Sequence, residues 1–329
     1  MSTSNIVDGT RIANERKKPQ RRRRWARPKQ QTSIIDDDFR DNVSQFLREA
    51  EDQYAKAQLT EDMRFALFQQ VQGYVPDLCF DSNGCRLVQR VVELVWGDAQ
   101  RTLVRELQGF VSDAVASEHG NHVIQRFIEL MSPLDVDFML HELQSVYLPS
   151  ELAKRRHGCR VLQRMIEHFD PSQLDSFVDG LVENAKELCF DEFGNYVIQT
   201  LFENGSIKHK TIISNMLLAN VEKVAKDSLA IRVLDKALTY STLAYDLAKA
   251  ILDKEGLVVD MATRRGRRSF SVEAAHQLFK VCKGHRPLKN IFMEQVREIE
   301  EKAIKFGWID AVDVRAPSAP PKEEMHLLL

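Results

Sequence analysis

Four pairs of residues recur along the chain with their members four positions apart: Cys85/Gln89, Asn121/Gln125, Cys159/Gln163 and Asn195/Gln199. The residue that directly follows the first member carries a planar group in every case: Arg86, His122, Arg160 and Tyr196. We call each pair an edge pair and each following residue a planar residue. Amides can donate and accept hydrogen bonds along the edge of a nucleobase, and planar groups can stack on its face. The recurring set therefore offers both contacts that a single-stranded nucleic acid needs.

A glycine precedes every edge pair, and these glycines reveal an internal repeat. They are separated by 36, 38 and 36 residues: Gly84, Gly120, Gly158 and Gly194. Two further steps of 36 residues reach Ala230 and Gly266, so six units follow one period. A period of this length indicates an array of supersecondary units in which each unit packs against its neighbours.

Apolar residues recur with helical periodicity on both sides of each glycine, as in residues 63–75 before Gly84 and the segment that follows it. Neither of the two predicted helices of a unit can bury its apolar side alone, whereas stacked neighbouring units can. The sequence therefore predicts an all-α protein, an α-solenoid with helical repeats of about 36 residues.

On a helix, the two members of an edge pair lie on one face a turn apart, and the planar residue is rotated from the first member by about 100°. The residues between them are predicted to point into the core: Leu87-Val88, Val123-Ile124, Val161-Leu162 and Val197-Ile198. Planar residues of successive units could enclose one base while an edge pair contacts its Watson–Crick edge. Asn with Gln matches uracil, whereas Cys leaves room for a purine and Gln remains available to adenine.

The four motifs, in their order, resemble the third to sixth repeats of the Pumilio (PUF) family of RNA-binding proteins. They read Gly-Cys-Arg-x-x-Gln, Gly-Asn-His-x-x-Gln, Gly-Cys-Arg-x-x-Gln and Gly-Asn-Tyr-x-x-Gln. The resemblance covers about residues 60–305 and implies a right-handed, crescent-shaped α-solenoid whose concave face binds single-stranded RNA antiparallel to the chain. It implies adenine at Cys85/Gln89 and Cys159/Gln163, and uracil at Asn121/Gln125 and Asn195/Gln199. The implied element is 5′-UAUA-3′, with stacking on Arg86, His122, Arg160 and Tyr196.

The resemblance further implies a post-transcriptional regulator of eukaryotes. Such a protein binds mRNA 3′ untranslated regions as a monomer, recruits mRNA-decay or translation-repression proteins, and uses no cofactor. It is expected in the cytoplasm, and the basic N-terminus is compatible with an additional nuclear or nucleolar pool.

The fifth and sixth units depart from the motif. The fifth carries Ile231, Arg232 and Asp235, of which Arg232 can stack and Asp235 can accept hydrogen bonds from guanine. The 36-residue step gives the sixth unit Arg267, Arg268 and Ser271. These residues either grip phosphates without reading a base, or belong to a unit that only caps the array. Upstream, residues 34–58 predict one helix without an edge pair, so two further repeats are absent or degenerate.

Charge is distributed unevenly along the chain. The formal net charge is −2, but residues 1–30 carry ten Lys or Arg against two acidic residues, which leaves −10 for the remainder. Residues 1–33 are therefore predicted to be a basic disordered tail that binds nucleic acid nonspecifically, directs nuclear import or is only solvated. The predicted repeat domain spans 34–312, with clear repeats at about 60–283 and a C-terminal cap at 285–312. Residues 313–329 are predicted to be a flexible tail.

Two alternatives to an RNA-binding regulator stay open at this point. The acidic body favours a protein-binding α-solenoid scaffold of the HEAT or armadillo type, because generic RNA binders are basic. A ribosome-biogenesis factor of the PUF superfamily is the other alternative. RNA capture would separate the scaffold from the other two.

Enzymatic, metal-binding and membrane-spanning classes are not predicted. Cys85 and Cys159 occupy the place that Asn fills in other units, which explains them better than a nucleophile does. The histidines near the glycines lack metal-ligand spacing: His119, His122 and His157. Five cysteines without a pairing pattern favour a reducing compartment, and no run of about 18 apolar residues predicts a membrane span.

Overall fold

The computed structural model describes residues 37–55, 59–263, 270–299 and 304–305. Both predicted tails lie outside the described residues. Arg267 and Arg268 also lie outside them. All regular secondary structure in the described part is helical. No helix in that part is long and apolar enough to cross a membrane.

Each unit contains three helices, where the sequence predicts two. The first helices are α2 (Glu61–Val71), α5 (Asp98–Arg105), α8 (Pro133–Val146), α11 (Pro171–Glu183), α14 (Ile207–Leu218) and α17 (Ala244–Leu252). Short helices follow them: α3 (Val75–Cys79), α6 (Val111–Ala116), α9 (Pro149–Ala153), α12 (Ala185–Cys189), α15 (Val221–Lys226) and α18 (Leu257–Thr263). The second helices are α4 (Gly84–Leu94), α7 (Gly120–Leu130), α10 (Gly158–His168), α13 (Gly194–Asn204), α16 (Ala230–Tyr240) and α19 (Phe270–Lys283).

The short helices exist because a turn interrupts what the sequence presents as one apolar-periodic segment. In the first two units the turn contains a glycine with φ of +85°, a conformation that side chains with a Cβ rarely adopt: Gly73 and Gly109. The carboxylate of Glu106, from the next unit, accepts hydrogen bonds from the backbone N–H groups of Gly73 and Val75. Glu142 accepts in the same way from Gly109. These carboxylates satisfy the turn and tie neighbouring units together.

The second helices pack side by side in chain order, from α4 through α7, α10, α13 and α16 to α19. One continuous core of buried aliphatic and aromatic side chains runs through all six units. This repeated packing confirms the all-α solenoid predicted from the sequence.

A ladder of ion pairs also crosses the first three second helices. Arg126 pairs with Glu93 of the preceding unit and with Glu129 of its own, and Arg164 continues the ladder to Glu129 and Glu167. On α13, Thr200 occupies the position of these arginines, so the ladder stops there. On α16, Lys236 occupies that position and pairs with Glu203. Alternating charges along this row therefore neutralise one another in units one to three.

Helices outside the repeats cover both ends of the described array. α1 (Asp37–Ala55) packs on α2 and α4, and α20 (Arg286–Val296) packs on α17, α18 and α19. The segment ahead of unit one therefore contributes a single helix among its described residues. End helices of this kind cover apolar surface that an internal unit would bury against a neighbour.

Candidate nucleic-acid interface

In units one to four, the glycine at the start of the second helix is required by close packing against the short helix of its own unit. A Cβ on Gly158 would lie 2.5 Å from the carbonyl oxygen of Leu152, and one on Gly84 would lie 2.7 Å from that of Leu78. A Cβ on Gly120 would lie 2.8 Å from the carbonyl oxygen of Ala114, and one on Gly194 would lie 2.8 Å from Cδ2 of Leu188 and 3.0 Å from its carbonyl oxygen. Real Cβ atoms do not approach oxygen this closely, so glycine sets the position from which the edge pair projects.

A side chain three residues before the helix start fixes the turn in four of the units. Asp81, Asp191 and Asp227 each accept hydrogen bonds from two consecutive backbone N–H groups at the start of the second helix. Ser117 does so in the second unit. Such local acceptors replace the carbonyl partners that the first N–H groups of a helix lack.

The second helices orient their residues as the sequence predicts for the core. The pairs Leu87-Val88, Val123-Ile124, Val161-Leu162 and Val197-Ile198 are all buried. The planar residues Arg86, His122 and Arg160 are exposed, Tyr196 is half-buried, and so are the four edge-pair glutamines. The first member of every edge pair differs, because it lies beneath the surface: Asn121 and Asn195 are 1% and 0% exposed.

The two buried asparagines hold their glutamines in place. Nδ2 of Asn195 donates to the carbonyl oxygens of Asp191 and Glu192 at 2.7 and 3.1 Å, and its Oδ1 accepts from Nε2 of Gln199 at 2.8 Å. Asn121 makes the equivalent bonds, with Nε2 of Gln125 at 2.9 Å from its Oδ1. The asparagine amide is thus fully engaged within its own unit.

The two cysteine units hold glutamine differently. Nε2 of Gln89 donates to the backbone oxygen of Cys85 at 2.8 Å, and Gln163 donates to that of Cys159 at 3.0 Å. The two thiols donate to backbone oxygens of the preceding turn. Burial raises the pKa of Cys85 and of Cys159 above the ordinary thiol value, so both stay protonated at neutral pH. A protonated thiol is a weak nucleophile, so this protonation state favours a packing role for the two cysteines.

Every edge-pair glutamine keeps hydrogen-bonding capacity after these contacts. In Gln89, Gln163 and Gln199 one N–H is used, which leaves the carbonyl oxygen as an acceptor and the second N–H as a donor. Nε2 of Gln125 donates to both the backbone oxygen and Oδ1 of Asn121, and its carbonyl oxygen stays available as an acceptor. A donor beside an acceptor can pair with the edge of uracil or of adenine. The four units therefore all offer the glutamine carbonyl oxygen, and they differ in the residue that supports the amide.

The planar residues of units three to five contact one another. The guanidinium of Arg160 lies 5.0 Å from the ring centre of Tyr196, and that of Arg232 lies 5.9 Å from it on the next unit. Nη1 of Arg232 also donates to the hydroxyl of Tyr196 at 3.1 Å. Tyr196 therefore contacts the planar residues of both neighbouring units, Arg160 and Arg232. The sequence does not predict these contacts.

Units five and six place their predicted contact residues less favourably. Ile231 is buried and offers no polar atom, while Asp235 is half-buried with its Oδ1 lacking a hydrogen-bond partner among the described residues. The 36-residue step assigns Ser271 to the position of the edge-pair glutamines. Those glutamines are half-buried, whereas Ser271 is only 4% exposed. The reason is a change of register in α19. The 36-residue step would place Glu273 at a buried position, but Glu273 is exposed.

Comparison with known families finds a match to the model of the Pumilio-family RNA-binding repeat. The matched segments are residues 74–107, 118–144, 150–182 and 184–218, which fall in units one to five. A curated relative, meiotic coiled-coil protein 2 of Schizosaccharomyces pombe, is 27% identical over 86 residues. That match covers 26% of this chain and only 12% of the relative.

Solved structures with the same fold include PUF-8 in complex with PBE-RNA. Its TM-score is 0.67 at 20% identity, over 82% of this chain and 80% of that one. The Puf3 RNA-binding domain bound to a Cox17 RNA 3′ UTR recognition sequence gives a TM-score of 0.65 at 22% identity, over 82% and 84% of the two chains. These similarities show the fold.

Proposed function

Because residues 74–218 carry repeats of the Pumilio family, we propose that this protein binds single-stranded RNA sequence-specifically through units one to four. The observation that carries the proposal is the repeated geometry of the edge pairs. Four glutamines stand at equivalent places on parallel helices, each fixed by a hydrogen bond to the residue four positions earlier. Fixing these amides before binding lowers the entropic cost of reading a base.

The proposed element is 5′-UAUA-3′, with the first uracil at unit four and the last adenine at unit one. The glutamine of each unit contacts the base edge, and the buried Asn or Cys sets how that amide is held and how much room the base has. Arg86, His122, Arg160 and Tyr196 supply the stacking surfaces, which contribute about 1–3 kcal/mol per base before ordering costs.

The cellular role that fits this chemistry is post-transcriptional regulation. We propose that the protein acts as a monomer on mRNA 3′ untranslated regions in the cytoplasm, with mRNA-decay or translation-repression proteins as partners. Solved relatives of the same fold carry 3′ UTR recognition sequences, which supports this choice over a ribosome-biogenesis role. Residues 34–312 would form the reading domain. The basic residues before it would add attraction to phosphates that is independent of sequence.

The experiment that tests the reading scheme exchanges one supporting residue. Asn195→Cys, with Gln199 kept, should convert unit four to the type of units one and three. The preferred RNA should change from UAUA to AAUA while the other three positions stay unchanged, because each unit meets one base. Competition binding with UAUA, AAUA and the single-base variants of each would measure this.

Two controls accompany the exchange. Circular dichroism should show an unchanged helical content, and Cys159→Asn should change the third-unit base from A to U in the reciprocal direction. A variant that folds and still prefers UAUA over AAUA would disprove the assignment of this unit. Absence of any RNA preference in the unsubstituted protein would instead favour a protein-binding scaffold.

A further inference from the structure

The sixth second helix is out of step with the other five. α18 begins 36 residues after α15, but the burial pattern of α19 matches that of α16 only when Ser271 is set against Ala230. Ala274 and Ala275 then take the buried places of Val233 and Leu234. With this alignment α19 ends 12 residues beyond Ser271, close to the 10 residues by which α16 extends beyond Ala230. The sixth unit is thus shifted by five residues from the 36-residue step.

Charges on neighbouring helices agree with this register. The pKa of Asp235 is raised, chiefly by its burial, while Glu273 raises it further and Lys236 and Lys280 oppose the shift. Glu273 and Lys280 are seven residues apart on α19, two helical turns. Both affect the pKa of Asp235, as expected if Asp235 on α16 lies beside the part of α19 between these two residues.

The new register changes which residues of the sixth unit face the RNA side. Glu273 takes the place that Arg86, His122, Arg160, Tyr196 and Arg232 hold in units one to five. His276 takes the place of the glutamines, and Val272 that of the buried Asn or Cys. Glu273 is exposed and His276 is half-buried. The sixth unit therefore presents a carboxylate where the other units present a planar group.

We infer that Glu273, together with Asp235, ends the RNA-binding surface at Arg232. This inference rests on the proposed function. A carboxylate offers no face on which a base can stack, and it repels the phosphates of an RNA chain. Asp235 on the adjacent unit adds a second carboxylate at the place where nucleotides upstream of UAUA would pass. Ile231 adds no polar contact that would offset the repulsion. The bound segment is four nucleotides, and nucleotides 5′ of it stay outside.

The test measures how much upstream nucleotides contribute. UAUA RNAs with one fixed 3′ flank would carry zero, one, two or three additional 5′ nucleotides, with each of the four bases at the first added position. For the unsubstituted protein, the dissociation constant should change less than about twofold across the series. Glu273→Arg restores a planar, positively charged group, and a two-nucleotide 5′ extension should then tighten binding at least about fivefold.

Glu255→Arg is the matched control, because it makes the same change of charge in the exposed turn between α17 and α18. It should strengthen binding of all RNAs equally, whatever their 5′ length. A fivefold or greater gain from a 5′ guanine in the unsubstituted protein would overturn the inference, since Asp235 would then read that base. So would a Glu273→Arg protein that gains no more from 5′ extension than Glu255→Arg. Failure of every RNA to outcompete a polycytidine control would refute the proposed function itself, which none of the other outcomes does.

Discussion

Units one to four and units five and six share one plan of three helices, yet the last two units lack the edge-pair glutamine, and only the fifth keeps a planar residue, Arg232. The first four begin their second helix with glycine, carry an edge-pair glutamine and present a planar residue. The fifth begins with Ala230 and replaces glutamine by Asp235, and the sixth presents Glu273 after a shift of register. Packing between second helices continues through all six units regardless. A solenoid can therefore keep its core while the residues on its exposed face diverge, because different residues of each helix serve the two purposes.

The largest expected effect concerns the planar residue at the centre of the contacts between units. Tyr196→Ala should weaken binding of UAUA RNA by about 1–3 kcal/mol, roughly 5- to 150-fold, because it removes a stacking surface. Preference among bases should stay the same, since stacking scarcely depends on base identity. Fluorescence anisotropy with labelled UAUA and its single-base variants would measure both quantities.

Tyr240→Ala supplies the matched control for that substitution. Tyr240 is an exposed tyrosine at the end of α16, outside the planar position. Its removal should change affinity less than about twofold if stacking is confined to the planar position. Equal losses from the two substitutions would show that the planar position has no special role.

The next effect tests why glycine begins the second helix in four units and alanine in the fifth. Gly158→Ala should lower the free energy of unfolding by about 1–3 kcal/mol, because its Cβ would press on the carbonyl oxygen of Leu152. Ala230→Gly should cost no more than about 1 kcal/mol, since it removes one methyl group and adds backbone freedom. Urea unfolding monitored by circular dichroism compares the two. A Gly158→Ala protein as stable as the parent would show that the short helix can move aside.

The smallest effect separates the continuous ion-pair ladder from the isolated pair beyond it. Arg126→Ala breaks contacts with both Glu93 and Glu129 and should cost roughly 1 kcal/mol, because the partly exposed pairs are screened by water. Lys236→Ala breaks the single pair with Glu203 and should cost about 0.2–1 kcal/mol, less than the first. Both costs should shrink in 1 M salt. An equal or larger cost for Lys236→Ala would argue that the ladder adds nothing beyond its separate pairs.

The period, the class of fold and the alternation of core and surface on the second helices could all be predicted from the amino-acid pattern. Periodicity specifies these features because a helix must bury one apolar side, and a unit of about 36 residues can bury it only against its neighbours. The burial of Val197 and Ile198 between Asn195 and Gln199 follows from helical spacing alone. The edge pairs were visible for the same reason, since four residues span about one turn.

The support of these residues depends on packing between helices and units, which the pattern does not report. Asn195 lies beneath the surface with its amide bonded to the preceding turn, because the neighbouring helices close over it, and no pattern along one helix reports such closure. The contact between Tyr196 and Arg232 joins residues 36 positions apart and depends on how two units stack. The register of α19 likewise follows from which side chains fit against α16. A fixed step of 36 residues therefore assigned Ser271 to the glutamine place, which His276 takes instead.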